Sequence, residues 1–323
     1  MRCTNRALKF TCISAVSALF LSACSQSLLM PFDPDSSDVS FNINTTATDS
    51  VEPFAADICV TDNDFEKLSL SIDESEAGGL FDATDSETVY AKNVHAKLNP
   101  ASLTKVMTAY IALKYGHLED TLTASANVLI TESGAQLLGI KEGDKMTLEQ
   151  ALNALLLYSA NDAGVLIAEY LSGSVEKFAA VMNDEAKKLG ATNTHFTNPH
   201  GLTDEAHYTT AYDLYLMMNA AMQYEEFRRI INTTEYKSTY KDREGNPKNI
   251  EIMTTNAYLK GDMTAPDGVS VIGGKTGTTK AAKSCLILLS NGANGHTYIS
   301  VILGSQDHES LYRNMTTLLD DIE

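Results

Sequence analysis

An α/β chain of the α+β kind, with one antiparallel sheet built from both ends of the folded region and helices around it, is the fold this sequence predicts. Three observations carry that expectation: two strand-like runs come early, apolar residues at helical spacing fill the middle, and three strand-like runs precede a closing helix. The early runs, 77–81 and 87–91, flank a polar turn (Asp82, Thr84, Asp85, Ser86) and read as a hairpin. Asn99-Pro100 then supplies an N-cap and a first-turn proline ahead of ASLTKVMTAYIALKYG, with Gly116 as its stop. Leu103, Val106, Met107, Tyr110 and Ile111 keep helical spacing and predict that this helix is buried. Thr147 and Gln150 form a capping box before ALNALLLY. Ser174 caps a helix with Phe178, Val181, Met182 and Leu189 on one face and Gly190 behind it, and Thr210 opens another through Met218. The late runs are 271–275, 284–289 and 298–303, with Asn291-Gly292 and Asn294-Gly295 turns between the last two, and the final helix spans about 308–320. No internal repeat interrupts the pattern, and the helical block in the middle forms a subdomain of its own.

A length of 323 residues allows one large domain or two ordinary ones, and 44% apolar with 20% charged residues describes a globular chain. The net charge of −18 repels phosphate backbones and excludes nucleic acid as a partner. Of five cysteines, Cys3, Cys12 and Cys24 crowd the N-terminus, which leaves Cys59 and Cys285, too few for a disulfide scaffold.

Arg2, Arg6 and Lys9 precede a charge-free run from Phe10 to Ala23, the pattern of a secretory signal. A membrane-spanning helix needs ~20 apolar residues, and this run is shorter and carries several Ser. Leu21-Ser22-Ala23-Cys24 resembles the bacterial lipobox, which implies acylation of Cys24 and removal of residues 1–23. Ordinary cleavage, with Cys24 as a free thiol, is the alternative. An acylated Cys24 would hold the exported chain at the outer face of the cytoplasmic membrane, since each buried methylene adds ~0.8 kcal/mol. Between Cys24 and Glu66 there is no Lys or Arg while aspartates recur among Ser, Thr and Asn, so residues 24–64 read as an acidic tether and 65–323 as the folded domain.

Three short motifs carry chemistry. In Ser102-Leu103-Thr104-Lys105, at the start of the proline-led helix, the amine comes within reach of the hydroxyl. A serine hydroxyl is a weak nucleophile until a base takes its proton, and lysine serves as base when desolvation and a neighbouring cation depress its pKa. The helix start also offers backbone N–H groups to a forming anion. A capped helix with a solvated lysine is the plain alternative. Ser159-Ala160-Asn161 follows the apolar helix ending at Tyr158, where a helix-to-helix corner would also favour Ser and Asn. Gly274-Lys275-Thr276-Gly277-Thr278 lies on a late strand, its glycines leaving the edge open to another backbone. Gly268 to Thr276 imitates a phosphate-binding loop, but five residues separate its glycines where four are required and no helix follows. His195, His200 and His207 come without a His-Glu-x-x-His or paired Cys-x-x-Cys, so neither metal nor cofactor is expected. Cys285 reads as a small buried hydrophobe.

Taken in order, with Ser102, Ser159 and Lys275 separated by 57 and 116 residues, the three motifs suit one domain that brings three loops to one cleft. Together with NPASLTKVMTAY, LLLYSANDAGVLIAEYLSG, FAAVMNDEAKKLGATNTHFTNPHGL, HYTTAYDL and GGKTGTT, the chain from about Phe65 to Ile322 resembles the serine-type D-alanyl-D-alanine carboxypeptidases, the low-molecular-mass penicillin-binding proteins. The resemblance implies a transpeptidase/β-lactamase-like domain in which Ser102 forms an acyl-enzyme with the penultimate D-Ala of a peptidoglycan stem peptide. It further implies Lys105 as base, Ser159 as proton relay to the leaving amine, and Asn161 as the group that holds the substrate amide and orients Lys105. Lys275 would keep the Lys105 pKa low. Thr276 and Thr278, with Gly277 between them, would bind the substrate carboxylate, and the N–H groups of Ser102 and Thr278 would form an oxyanion hole. Arg313 is the candidate cation for that carboxylate, a surface arginine being the alternative. His200 belongs to a His-Gly-Leu turn that separates the family from β-lactamases, and its expected role is structural.

β-Lactams are the inhibitors this resemblance implies. Thr278 stands where several members carry His or another larger residue. Better-known members continue into a β-rich domain and a membrane-binding C-terminal helix, whereas lipidation of Cys24 would attach the opposite end. A β-lactamase and a non-catalytic wall-binding or β-lactam-sensing lipoprotein are the alternative functions. Glu149-Gln150-Ala151-Leu152-Asn153 imitates the deacylating motif of class A β-lactamases but precedes Ser159 where that motif follows. The intact Ser102 and Lys105 argue against a non-catalytic protein.

Overall fold

The computed structural model describes residues 57–65, 72 and 75–322; the expected signal peptide, Cys24 and the tether up to residue 56 lie outside the described residues. The chain enters through β1 (Ala77–Asp82) and β2 (Glu87–Lys92), makes a 3₁₀ turn (Ala101–Thr104), and continues into α1 (Lys105–Tyr115). There follow β3 (Thr121–Thr123), β4 (Lys145–Thr147), α2 (Leu148–Leu156), α3 (Asn161–Ser172), α4 (Val175–Lys188), α5 (Ala211–Ala221) and α6 (Glu225–Asn232). The last part comprises β5 (Glu235–Lys241), β6 (Pro247–Met253), α7 (Ala257–Lys260), β7 (Ser270–Thr279), β8 (Lys283–Asn291), β9 (Thr297–Ser305) and α8 (His308–Leu319).

The main sheet has the order β2-β1-β9-β8-β7 with every neighbouring pair antiparallel, so both ends of the folded region meet where β1 lies on β9, Leu80 opposite Ser300. This is the sheet the sequence predicts. β8 and β9 are buried on both faces because apolar side chains point both ways. Ile287, Leu289, Ile299, Val301 and Leu303 join the core shared with the helical block. Leu286, Leu288, Tyr298 and Ile302 pack with Leu311, Met315 and Leu318 of α8. Each such side chain contributes ~1.5–3 kcal/mol by leaving water.

α1 is buried from Lys105 through Ala112 because α2, α3, α4 and α5 all pack on it, which leaves it no solvent face over those two turns. The capping box at Thr147/Gln150 forms as expected, and Ser174 and Thr210 cap α4 and α5. The start of α1 differs from expectation. Asn99 Oδ1 accepts the Ala101 N–H at 3.0 Å, Ala101 adopts φ +47°, and the residues from 101 to 104 wind as a 3₁₀ turn before the α-helix begins. Side chains three apart eclipse in a 3₁₀ turn, which suits the Ser102–Lys105 pairing at least as well.

Two further differences concern packing. A second sheet, β3-β4-β5-β6, was not anticipated. The tether expected over 24–64 does not extend to Phe65: Cys59 is buried, its N–H donates to the Tyr215 hydroxyl at 2.8 Å, and its carbonyl accepts from the Tyr212 hydroxyl at 2.8 Å. Thr61 O lies 2.8 Å from the His95 ring, and Phe65 bridges Ala91 in antiparallel fashion. Recurrent aspartates in this stretch conceal an apolar core, Ile58-Cys59-Val60, of which Cys59 has found a pocket. Cys59 and Cys285 are both free thiols, and burial pushes them up to about 11 and about 12, away from reactivity at neutral pH.

Candidate active site

Ser102 sits on a backbone turn held from two sides by glycines. Gly201, at φ +85°, lies so close that a Cβ there would be 1.8 Å from the Ala101 carbonyl oxygen. On the other side β7 leans in, and a Cβ on Gly277 would be 3.0 Å from the Ser102 nitrogen. Gly201 demands the absence of a side chain, which explains the central glycine of His-Gly-Leu, while a Cβ at Gly277 would fit only if the serine turn gave way by a few tenths of an ångström. Ala101 at φ +47° places a non-glycine residue in left-handed backbone directly before Ser102, a strained geometry that surrounding contacts must enforce.

Lys105 is fully buried, and its Nζ lies 2.8 Å from Ser102 Oγ, 2.7 Å from Asn161 Oδ1 and 2.6 Å from the His200 carbonyl oxygen. The two carbonyl-type oxygens only accept, so they take two N–H groups. The third direction faces the hydroxyl, where a protonated lysine donates and a neutral one accepts the Ser102 O–H through its lone pair. Burial, followed by repulsion from Lys275, holds the Lys105 amine well below the ordinary lysine range, with Asp162 opposing. Lys275 is also buried, and desolvation pushes it down to about 7. Its Nζ donates to the Thr276 carbonyl at 2.8 Å. A buried amine of depressed pKa within hydrogen-bond reach of a serine hydroxyl has the geometry a general base for that hydroxyl requires.

Ser159 occupies a left-handed backbone position, φ +66°, and Asn161 begins α3 immediately after it. The Asn161 N–H donates to Gln136 O at 2.8 Å, which ties this motif to the loop over 132–140. The main fastener of that loop is Asp162, 1% exposed, whose carboxylate accepts the N–H groups of Leu138, Gly139, Ile140 and Ala163 at 2.8–3.1 Å. Sequence reasoning passed over Asp162, although an acid at the first turn of a helix is a usual anchor for loop N–H groups.

His200 serves through its backbone. Its ring is buried and, pushed down to about 3 by burial and by Lys105, stays neutral; Nδ1 accepts the Leu202 N–H at 3.2 Å. His207 supports the serine turn from behind. Its Nε2 lies 2.9 Å from Thr104 Oγ1, and that hydroxyl donates to the Ala101 carbonyl at 2.8 Å. The Thr197 N–H points at Nδ1 from 3.1 Å, so the ring proton belongs on Nε2. His195 has its own partner, Ala206 O, at 2.6 Å. Among the described residues one group of side chains lies close enough to share an ion, Asp82, Asp85 and His296, and it includes none of these three histidines.

A cleft of about 510 Å³ opens over the turn, lined by Ser102, Ser159, Asn161, Thr276, Gly277 and Thr278, with Lys105 and Lys275 buried beneath it. The three motifs therefore do meet. Arg313 is not brought to this cleft. It lies half-exposed on α8, 3.3 Å from Ser310 Oγ and 4.0 Å from Glu309, beside an adjoining cavity of about 670 Å³. His308, at the start of α8, lines both cavities together with Thr255. Thr255 Oγ1 is 2.6 Å from Thr276 Oγ1. Thr255, His308, Lys280 and the loop residues Glu132 to Gln136 also line the cleft and carried no sequence signal. Glu149 pairs with Arg229 at 2.7 Å and is not in the lining.

A family model described as D-alanyl-D-alanine carboxypeptidase matches residues 71–307. Two relatives with that name are DacF of Bacillus subtilis, 33% identical over 80% of this chain and 64% of its own length, and DacC of Escherichia coli, 30% identical over 76% and 60%. This chain thus spans 60–64% of the length of these curated relatives. Among solved structures, a Streptomyces DD-transpeptidase superposes with a TM-score of 0.72 at 26% identity, covering 80% of this chain and 98% of that one. Fold, motifs and the 71–307 match agree, and the chain belongs to the D-alanyl-D-alanine carboxypeptidase family.

Proposed function

We propose that the chain is a serine D-alanyl-D-alanine carboxypeptidase that removes the terminal D-Ala from peptidoglycan pentapeptide stems. The observation that carries this reading is the buried Lys105 amine, 2.8 Å from Ser102 Oγ, at the floor of a cleft shared with the other two motifs. Lys105 takes the hydroxyl proton and Ser102 Oγ attacks the penultimate D-Ala carbonyl. The N–H groups of Ser102 and Thr278 stabilise the oxyanion, each by ~3 kcal/mol. The proton passes through Ser159 to the leaving nitrogen, the C–N bond breaks, and free D-Ala departs. Water then adds to the ester, Lys105 accepts its proton, and the shortened stem leaves as the acid. Asn161 holds Lys105 and the substrate amide, while Thr276 and Thr278 receive the terminal carboxylate. β-Lactams acylate the same serine.

In this reading the protein is exported, loses residues 1–23, and is held at the outer face of the membrane by lipid on Cys24. Support for this comes from the charge-free run and the Leu-Ser-Ala-Cys sequence. The tether then ends before Asp57, and the catalytic domain follows. Incubation with a synthetic pentapeptide stem should release free D-Ala; an intact pentapeptide after prolonged incubation with folded enzyme would overturn the assignment.

A further inference from the structure

β7 is the edge strand of the main sheet, paired with β8 on one side and with no strand among the described residues on the other. The cleft follows this open edge, since Thr276, Gly277, Thr278, Thr279 and Lys280 all line it. An extended peptide bound along such an edge adds as a further strand. Side chains alternate along a strand, so Thr276 and Thr278 share one side ~7 Å apart, and Lys280, in the turn that directly follows β7, joins them in the cleft lining.

Lys280 is the only lysine or arginine in the cleft lining that is exposed, and it has no hydrogen-bond or ion-pair partner among the described residues. Lys105 and Lys275 lie buried below the floor, and the other ionisable groups of the lining are Glu132 on the 132–136 loop, the Tyr158 phenol and His308. In the carboxypeptidase reading, on which this inference rests, the scissile carbonyl lies at the Thr278 N–H and the terminal carboxylate toward Thr276. The acyl part of the stem must then run the other way, past Thr279 to Lys280. At ~3.4 Å per residue, the ammonium stands beside the two residues that precede the D-Ala pair.

We propose that Lys280 is a specificity-determining residue that binds a carboxylate carried by the stem upstream of D-Ala-D-Ala, so that the preferred substrates are stems with an anionic acyl arm. That carboxylate can belong to a diamino-acid side chain at the third stem residue or to the isoglutamyl residue at the second. Three synthetic pentapeptides separate the sources: one amidated at both positions, one free only at the second, and one free only at the third. The parent enzyme should cleave one of the two acidic stems with kcat/KM about fivefold above the doubly amidated stem, the gain an exposed ion pair supplies. Lys280→Met should bring that ratio to about one, and Lys280→Glu should invert it. Equal kcat/KM on all three stems with the parent overturns this inference alone. A loss of the same size on all three stems in Lys280→Met also overturns it, by placing Lys280 on the terminal carboxylate. Release of D-Ala from none of them overturns the carboxypeptidase reading itself.

Discussion

The Lys105 amine donates to the carbonyl oxygen of His200 across 2.6 Å. The His-Gly-Leu segment therefore reaches the lysine through its backbone and not through an imidazole. That contact requires the chain to pass against the serine turn, where Gly201 leaves no room for a Cβ.

Gly201→Ala should consequently be more damaging than a single methyl suggests. The left-handed φ and the collision with Ala101 together cost about 1–3 kcal/mol or more, and relief by backbone shift would pull the His200 carbonyl off Lys105. Thermal unfolding should show a lower Tm, and penicillin acylation should slow by at least about tenfold. A variant with unchanged Tm and acylation rate would show that the clamp is not needed.

In the proposed mechanism acylation depends on neutral Lys105, so its rate should rise with pH along a limb far below the ordinary lysine value of ~10.4. Lys275→Met removes the repelling charge while burial remains, so the Lys105 pKa rises and the limb moves to higher pH, still short of ~10.4. A stopped-flow profile of penicillin acylation from about pH 5 to 10 reads this directly; a limb that stays put or moves down contradicts it.

The same groups link stability to pH. Lys275 has a folded value of about 7 against ~10.4 unfolded, so between these the unfolded chain binds more protons. Its contribution is fully present above ~10.4 and is lost as pH falls through about 7. Lys275→Met should therefore raise Tm relative to the parent more at pH 7 than at pH 10. Equal differences at both pH values would contradict the buried, titrating lysine.

Asp162 gathers the backbone of Leu138, Gly139 and Ile140 onto one carboxylate. Asp162→Ala should free the 132–140 wall of the cleft, speed amide exchange at those three residues, and lower kcat/KM about tenfold, mainly through KM. Asp162→Asn, which keeps an acceptor oxygen, should recover part of the loss. Retained amide protection in the alanine variant would remove the loop-fastening role.

Local signals made the main sheet and much of the site legible. The Thr147/Gln150 box, the Ser174 and Thr210 caps and the continuous apolar runs of β8 and β9 each act within a few residues. The three motifs are equally local, and their order implied one cleft. What escaped depends on partners far along the chain. β5 carries Tyr236, Ser238 and Tyr240 at alternate positions and was readable as a strand, but its pairing with β4 across Lys145 and Lys241 was not. Cys59 was lost among aspartates because its pocket is made by Tyr212 and Tyr215, over 150 residues away. Arg313 was misjudged because the rotation of α8 that turns it outward is fixed by Leu311, Met315 and Leu318 packing on the sheet.

The proposed lipid anchor at Cys24 predicts that Cys24→Ser releases the protein from membranes into the soluble fraction and that metabolic labelling with a fatty-acid analogue disappears with it. Unchanged fractionation would remove the lipid from this account.

The central claim is that Ser102, primed by Lys105, is the acylated residue. Mass-spectrometric mapping of the protein after reaction with benzylpenicillin should find the penicilloyl mass on the peptide containing Ser102 and nowhere else, with Lys105→Met slowing its appearance by orders of magnitude. An adduct on another residue, or undiminished labelling of Ser102→Ala, would contradict it.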